Sequence, residues 1–242
     1  MPKTGRLEGR KVLLVGVGKG LGAATASYLL AEGALVAISA REEKLLSEVS
    51  SVLSNPKKLY KVKGDASTIE GAKKLVKAAA DLMKGIDDVA VMVGGFVADR
   101  IEGLEALELM TLNHIKIPLY AVNAALSHLK KGSSIVLISS SMAIRKAQGP
   151  LSYSVGKVGT AKEVELLANQ LMERGIRVNG IAPLAIDGEF KPDTEFKSAR
   201  KLGDGSAPPD AFAKVIVWLM TEEAQWINGV VIPVDGGATI KS

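Results

Sequence analysis

Apolar runs of five or six residues alternate with amphipathic stretches along the chain. The runs predict seven strands, at residues 11–16, 34–39, 59–63, 89–93, 134–139, 177–181 and 229–234. The intervening stretches predict helices at 21–32, 42–53, 68–84, 104–129, 152–174 and 210–220, and Pro118 should kink or break the fourth of these helices. Strands that alternate with helices at this spacing are typical of a parallel, doubly wound α/β sheet with helices on both faces.

No linker, repeat or low-complexity segment interrupts this pattern. We therefore expect residues 1–242 to form a single Rossmann-like domain that combines dinucleotide binding and catalysis. Ligands of such sheets bind beyond the carboxyl ends of the strands. The polar segment at about 188–209 contains Gly and Pro, so we expect it to form a loop or a small lid over the substrate.

The composition narrows the possible chemistry. Aromatic residues make up only 4% of the chain, so Val, Ile, Leu and Ala must build the core, which suits a sheet covered on both faces. The chain has no cysteine, which excludes disulfides, thiolate metal sites and a cysteine nucleophile. His114 and His128 lie far apart without ligand-like neighbours, so we expect no metal site and histidines that are structural or exposed.

The net charge of +5 is spread along the chain and indicates a solvated surface. The chain has no basic run with interleaved aromatic residues of the kind that binds nucleic acid. The first ten residues lack the apolar core of a signal peptide, and no apolar run reaches membrane-spanning length. We expect a cytoplasmic protein with neither nucleic acid nor membrane as a partner.

A glycine-rich segment follows the first predicted strand and precedes a helix. It reads Gly16-Val17-Gly18-Lys19-Gly20-Leu21-Gly22. Glycines in this context allow a tight turn and a close approach of the backbone to a pyrophosphate, which the helix N-terminus attracts. The alternative is a tight turn that serves only the packing of the helix.

The end of the second strand favours NADP(H) over NAD(H). No acidic residue that would bind a ribose 2′-hydroxyl precedes Glu42, whereas Arg41 presents a planar fork suited to a phosphate. Lys19 can add a second positive charge, so Arg41 and Lys19 are interpreted as a clamp for the 2′-phosphate. Both are otherwise ordinary surface charges. Asp65 follows the third strand, where it either hydrogen-bonds the adenine edge or serves as an N-cap or turn aspartate.

Tyr153 and Lys157 stand four residues apart, on one face of a predicted helix. A nearby ammonium and an oxidised nicotinamide ring would lower the pKa of the phenol, so that Tyr153 could exchange a proton with a substrate oxygen. The preceding strand ends in Ser139-Ser140-Ser141, where a hydroxyl could hold that oxygen. The residues alone leave open which of the three serines does so.

Together these motifs resemble the short-chain dehydrogenase/reductase family over nearly the whole chain. Gly16, Gly20 and Gly22 match the family's Gly-x-x-x-Gly-x-Gly loop, and Tyr153 to Lys157 match its Tyr-x-x-x-Lys motif. Segments at 177–183 and 232–237 look like the family's nicotinamide-side strand and closing strand. Ser140 has the usual spacing of thirteen residues before the tyrosine, and Asn113 lies in the long helix that holds the family's asparagine.

The resemblance implies roles for these residues. Tyr153 would be the acid/base, Lys157 would lower its pKa and hold the nicotinamide ribose, Ser140 would orient the substrate oxygen, and Asn113 would hold a relay water. The expected cofactor-binding residues are Gly16, Lys19, Gly20, Leu21, Gly22, Arg41, Asp65, Ala66, Val93, Gly94, Gly95, Tyr153, Lys157, Pro183 and Ile186. Assembly as a homotetramer or homodimer, with the long helices paired across subunits, is also implied.

Three departures from the family pattern stand out. Met92-Val93-Gly94-Gly95 replaces Asn-Asn-Ala-Gly, so hydrogen bonds of two asparagines are lost or replaced. Gly188 stands where the family has a threonine that contacts the pyrophosphate, and Val15 stands where it commonly has another threonine. These changes should affect cofactor affinity more than chemistry.

We therefore expect an NADP(H)-dependent oxidoreductase that transfers a hydride between nicotinamide and a carbonyl or alcohol substrate. A 3-oxoacyl thioester is the first substrate class to consider, because Phe190, Phe196 and the lysines at 191, 197 and 201 could face an acyl chain and an anionic carrier. The alternative is a non-enzymatic, nucleotide-binding regulatory subunit that keeps the fold. DNA binding through the net charge is a third and weaker hypothesis.

Overall fold

Seven parallel strands form one sheet in the computed structural model, which describes residues 5–146, 149–192 and 201–241. In chain order the strands are β1 (Lys11–Val15), β2 (Leu35–Ala40), β3 (Leu59–Lys63), β4 (Asp88–Val91), β5 (Ser134–Ile138), β6 (Arg177–Pro183), the short β7 (Ala185–Ile186) and β8 (Ser206–Ala207), and β9 (Val231–Val234). The sheet has the order β3-β2-β1-β4-β5-β6-β9, and β7 pairs with β8 separately. The chain reverses direction across the sheet between β1 and β4, which makes this the topological switch point.

Helices cover both faces of the sheet. They are α1 (Leu21–Ala31), α2 (Glu43–Val52), α3 (Ile69–Met83), α4 (Leu107–Thr111), α5 (Ile117–Ala125), α6 (Ser141–Arg145), α7 (Leu151–Leu171) and α8 (Pro209–Met220). Alternate residues of β1 enter different cores: Leu13 packs with α3, α5 and α7, whereas Leu14 packs with α1, α2 and α8. The aliphatic strands and the doubly wound fold predicted from the sequence are thus confirmed.

The long helix predicted over residues 104–129 is shorter and interrupted. Leu104 has a left-handed backbone (φ 58°), so α4 begins only at Leu107. A π-helical turn at Leu112–Lys116 separates α4 from α5, just before Pro118, which lacks an amide proton. The carbonyl of His114, four residues before Pro118, accepts a hydrogen bond from Thr160 Oγ1 at 2.7 Å instead. The break expected near Pro118 is present, and α7 fixes its geometry.

The segment expected to form a lid is described in two pieces, 188–192 and 201–209; Phe196 and Lys197 lie outside the described residues. The first piece lies against the glycine-rich loop, where the Phe190 amide donates to the Lys19 carbonyl at 2.9 Å. The Phe190 side chain is buried in the core with α1 and α8, so the expectation that it faces a substrate is wrong. Within the described ranges, no helix is long and apolar enough to cross a membrane.

Candidate active site

Two adjoining cavities lie at the carboxyl edge of the sheet. The larger, of about 900 Å³, is formed by the segments that follow β4, β5 and β6 together with the start of α7. The smaller, of about 250 Å³, is formed by the segments that follow β1, β2 and β3 and by the π-helical turn. Val93 and Gly94 line both cavities. The two spaces therefore meet at the turn after β4, in front of the switch point.

The predicted site residues divide between these cavities. The larger cavity is lined by Leu21, Val93, Gly94, Gly95, Ser140, Tyr153, Lys157, Pro183 and Ile186. The smaller cavity is lined by Gly16, Arg41, Asp65, Ala66, Val93, Gly94 and Asn113. Fourteen positions scattered from 16 to 186 thus line one continuous hollow. Lys19, Gly20 and Gly22 belong to the loop beside it.

The glycine-rich loop has the shape that a pyrophosphate requires. Gly16 has a positive φ of 78°, and a Cβ there would lie 2.3 Å from Val93 Cγ2. A Cβ at Gly22 would lie 2.8 Å from Val17 Cβ. The N-cap of α1 is Gly20, which has no side chain, so no capping side chain shields the amides of the first turn. These residues fit a dinucleotide whose phosphates meet the N-terminus of α1.

The two residues of the predicted 2′-phosphate clamp differ in their surroundings. Arg41 is exposed, borders the smaller cavity, and makes no hydrogen bond or ion pair with another described residue. Lys19 Nζ is 2.9 Å from Glu48 of α2 and 3.8 Å from Glu189. A phosphate would therefore meet an available guanidinium at Arg41, while Lys19 would first have to leave its carboxylate partners.

Asp65 borders the smaller cavity, and its carboxylate accepts a hydrogen bond from the Ser67 amide at 2.9 Å. The cap of the following helix is Thr68, whose Oγ1 accepts from the Gly71 amide at 3.0 Å. Asp65 therefore stabilises a turn and does not cap α3. Its position at the cavity leaves it available to an adenine edge.

The three consecutive serines after β5 have different partners. Ser139 Oγ donates to the Lys157 carbonyl at 2.7 Å, and Ser141 Oγ donates to the Pro183 carbonyl at 3.2 Å. The Ser140 side chain makes neither kind of backbone contact with a described residue; it lines the larger cavity with Tyr153, where its hydroxyl opposes the rise in the pKa of that phenol. Ser140 is thus the serine whose hydroxyl meets Tyr153 in the larger cavity.

Tyr153 lies in the first turn of α7 between two other rings. Its ring centroid is 5.1 Å from that of Phe96 and 5.4 Å from that of His114, both edge to face. Burial raises the pKa of Tyr153, and among the described residues only Ser140 opposes that rise. The predicted depression by Lys157 is not found in the protein alone.

Lys157 lies one turn further along α7, with Nζ 5.9 Å from the Tyr153 ring centroid. Its side chain is buried, and Nζ donates to the Ile138 carbonyl at 2.8 Å. Burial lowers the pKa of this ammonium to about 8. Lys157 therefore stays mainly protonated at neutral pH, with its ammonium beside the Tyr153 ring.

The π-helical turn adds two groups behind the turn after β4. Asn113 Nδ2 donates to the Gly94 carbonyl at 2.9 Å, and His114 Nε2 lies 3.2 Å from the Gly95 carbonyl. The sequence indicated Asn113 through the family pattern but gave His114 no role in the site. The only signal for His114 was its place beside Asn113. Its proximity to Tyr153 depends on packing between α7 and the π-helical turn.

Asp99 is a further residue that the sequence did not indicate. Its carboxylate accepts hydrogen bonds from the amide of Ser152, at 3.0 Å, and from the Ser152 hydroxyl. The Leu151 amide donates to the Asp99 carbonyl at 3.4 Å. The residue that precedes α7 is Pro150, which provides no side-chain cap. A residue from the β4–α4 segment therefore caps the helix that carries Tyr153 and Lys157.

This arrangement can hold a dinucleotide along the loop and bring a proton donor to a substrate oxygen. The fold, the loop and the cluster define a nucleotide-dependent oxidoreductase. A family model described as enoyl-(acyl carrier protein) reductase matches residues 16–239. The chain belongs to the short-chain dehydrogenase/reductase family, as the sequence motifs predicted.

Relatives and solved structures extend over almost the whole chain. Glucose 1-dehydrogenase of Gluconobacter oxydans is 30% identical, with 99% of this chain and 95% of that protein covered. The Escherichia coli oxidoreductase YghA is 31% identical and covers 97% of this chain and 84% of its own length. A short-chain dehydrogenase of Burkholderia cenocepacia, solved with NADP, superposes with a TM-score of 0.84 at 26% identity, with 96% and 99% of the two chains covered.

Proposed function

We propose that this protein is an NADP(H)-dependent reductase or dehydrogenase that interconverts a ketone and a secondary alcohol. The observation that carries the proposal is the cluster of Ser140, Tyr153 and Lys157 in a cavity that continues into the glycine-rich loop. A phenol, a hydroxyl and a buried ammonium are what proton transfer to a carbonyl oxygen needs. The cofactor, when bound, supplies or accepts the hydride.

Each residue of the cluster has a distinct part in this proposal. Ser140 donates to the substrate oxygen and holds it beside the Tyr153 hydroxyl. Tyr153 gives its proton to that oxygen during reduction and takes one back during oxidation. Lys157, whose Nζ now donates to the Ile138 carbonyl, would hold the nicotinamide ribose, and its charge would favour the phenolate. Asn113 holds a water behind Lys157 that returns protons from solvent.

The preference for NADP(H) rests on Arg41. Its guanidinium borders the smaller cavity, where the adenosine end of the cofactor would lie, and it has no competing partner among the described residues. A guanidinium can bind a phosphate with two parallel hydrogen bonds. The Burkholderia structure was solved with NADP, which agrees with this choice.

An apolar ketone fits the larger cavity better than a sugar. Met92, Phe96, Met142, Leu184 and Ile186 contribute aliphatic and aromatic surface, and Lys157 is the only charged residue among the described lining. Linear 3-oxoacyl thioesters are the first class to test. The segment at about 188–209 would act as the lid, within a single domain of residues 1–242.

Assembly through the long helices is part of the proposal. Val155, Val158 and Leu166 of α7 are 60%, 46% and 53% exposed. Their spacing of three and eight residues places them on one stripe of the helix. An exposed apolar stripe of this kind favours pairing with a second copy, in a homodimer or homotetramer.

The deciding experiment combines cofactor titration with a substrate panel. NADPH and NADH are titrated separately by calorimetry, and NADPH oxidation is then followed with apolar ketones and 3-oxoacyl thioesters. We expect tighter binding of NADPH and turnover of at least one ketone. Binding without any turnover would favour the regulatory-subunit alternative, and no binding of either nucleotide would overturn the proposal.

The variant Tyr153→Phe is the matched control for the chemistry. It removes the exchangeable proton and leaves the ring in place, so turnover should fall by at least about a thousandfold, while the Kd for NADPH changes less than about threefold. Retained turnover would show that Tyr153 is not the acid/base.

A further inference from the structure

His114 is among the most buried polar residues near the candidate site. The side chain is 1% exposed, and its ring is wedged between the turn after β4 and the first turns of α7. Gly156 makes room for it, since a Cβ at that position would lie 3.1 Å from His114 Cβ and 3.2 Å from Cδ2. Nothing in the proposed chemistry uses this imidazole.

Its contacts fix both the tautomer and the charge of the ring. Nε2 faces the Gly95 carbonyl at 3.2 Å, and a carbonyl can only accept, so the proton must be on Nε2. Nδ1 is buried and has no hydrogen-bond partner among the described residues. Burial, reinforced by the positive charge of Lys157, lowers the pKa of His114 to about 3. The ring is therefore a neutral donor at physiological pH.

The ring also contacts the proposed acid/base. The His114 and Tyr153 centroids are 5.4 Å apart with an interplanar angle of 89°, so the phenol is held edge to face. The backbone of His114 is fixed independently, through its carbonyl, by Thr160 of α7. One residue thus connects the helix of Tyr153 to the turn on which the two cavities meet.

We propose that His114 is a positioning residue that fixes the Gly94–Gly95 turn and the Tyr153 ring relative to each other. The effect of this positioning on catalysis depends on the proposed function. Asn113 and His114 each bind one carbonyl of the turn, at Gly94 and Gly95. His114 thus adds a second side-chain anchor to a turn that follows Met92 and Val93, whose side chains cannot form such hydrogen bonds.

Two substitutions separate the two contacts. His114→Phe keeps a ring against Tyr153 but removes the donor to Gly95, so the Kd for NADPH should rise about tenfold with kcat nearly unchanged. His114→Gln keeps an amide donor within reach of Gly95 but removes the ring, so kcat should fall about tenfold with the Kd nearly unchanged. Melting temperatures of both variants report any general loss of stability. If both variants lose affinity and kcat together, His114 only supports the fold and the positioning role is overturned.

The tautomer provides a test that needs no substrate. Long-range proton–nitrogen NMR spectra of the full-length protein, with the two histidines distinguished by His128→Gln, should show His114 as the Nε2–H tautomer from pH 5 to pH 9. An imidazolium at pH 6, or an Nδ1–H tautomer, would overturn the proposal. A wild-type protein that shows the Nε2–H tautomer but turns over no ketone would contradict the proposed function, while the hydrogen bond from His114 to the Gly95 carbonyl would still be supported.

Discussion

At the scale of single residues, Arg41 and Lys19 were both assigned to the 2′-phosphate clamp from the sequence, but their surroundings in the structure differ. Both residues follow strand ends. Lys19 pairs with the carboxylates of Glu48 and Glu189, whereas Arg41 has no carboxylate partner among the described residues. Exposed ion pairs are weak, yet a ligand must still displace them. Arg41 should therefore contribute more than Lys19 to recognition of a 2′-phosphate.

The variant Arg41→Asp tests this ranking. It removes a charge-assisted contact and adds repulsion, so the Kd for NADPH should rise about tenfold to a hundredfold, while the Kd for NADH changes little. Lys19→Ala should have a smaller effect on NADPH. Lys73→Asp on α3 is a control with the same charge change on the exposed surface. Equal effects of Arg41→Asp on both nucleotides would show that Arg41 does not contact the 2′-phosphate.

A second residue-scale prediction concerns Glu163 of α7, whose two carboxylate oxygens are buried without a partner among the described residues. Burial raises its pKa to about 8. The folded protein therefore binds a proton that the unfolded chain releases near its ordinary pKa, and stability falls as the pH rises from about 4.5 to about 8.

The variant Glu163→Gln should remove this dependence. At pH 9 its free energy of unfolding should exceed that of the wild type by about 1–3 kcal/mol, whereas at pH 5, where the wild-type side chain is protonated, the two should be similar. Urea unfolding at the two pH values measures the difference. A difference between the two proteins that stays constant with pH would mean that Glu163 is ionised in the folded state.

At the scale of elements, the start of α7 depends on a distant segment of the chain. Asp99 caps this helix through Ser152, and its hydrogen bonds to Ser152 lower the pKa of the carboxyl. That contribution to stability is present at neutral pH and is lost when acid protonates Asp99. Because Tyr153 is the next residue, the cap also controls the position of the phenol.

We expect Asp99→Ala to lower the melting temperature and to reduce kcat by about tenfold, with the Kd for NADPH nearly unchanged. Combining it with Ser152→Ala in a double-mutant cycle should show strong coupling, since the two side chains share a bond. An unchanged melting temperature for Asp99→Ala would contradict the proposed cap, whereas additive effects would show that Asp99 acts through the Ser152 amide and not through its hydroxyl.

The elements also show what the sequence could predict. Periodicity was sufficient for the seven strands and for α1, α2, α3, α7 and α8, because these elements bury aliphatic residues, but it merged α4 and α5 into one helix. It could not predict α6 or the β7–β8 pair, because these elements are too short to show a periodic pattern of apolar residues. Nor could it predict the partners of Tyr153, because Asp99 and His114 reach α7 through tertiary contacts rather than local spacing.

At the scale of the whole molecule, the apolar stripe of α7 predicts the assembly. A charge at its centre, as in Val158→Lys, should shift the mass measured by light scattering from a dimer or tetramer towards the monomer. Leu82→Lys is a matched control, because Leu82 of α3 is similarly exposed, at 49%, away from this stripe. An unchanged mass for Val158→Lys would place the interface elsewhere.

The close packing around the π-helical turn constrains how this protein can diversify. A Cβ at Gly95 would lie 2.9 Å from Asn113 Nδ2, and a side chain at Gly156 would press on His114. Alanine at either glycine is therefore accessible only after its neighbour has become smaller or has moved. Substitutions at these glycines and at their neighbours should therefore be non-additive: Gly156→Ala should cost less stability once His114 has been replaced by a smaller residue.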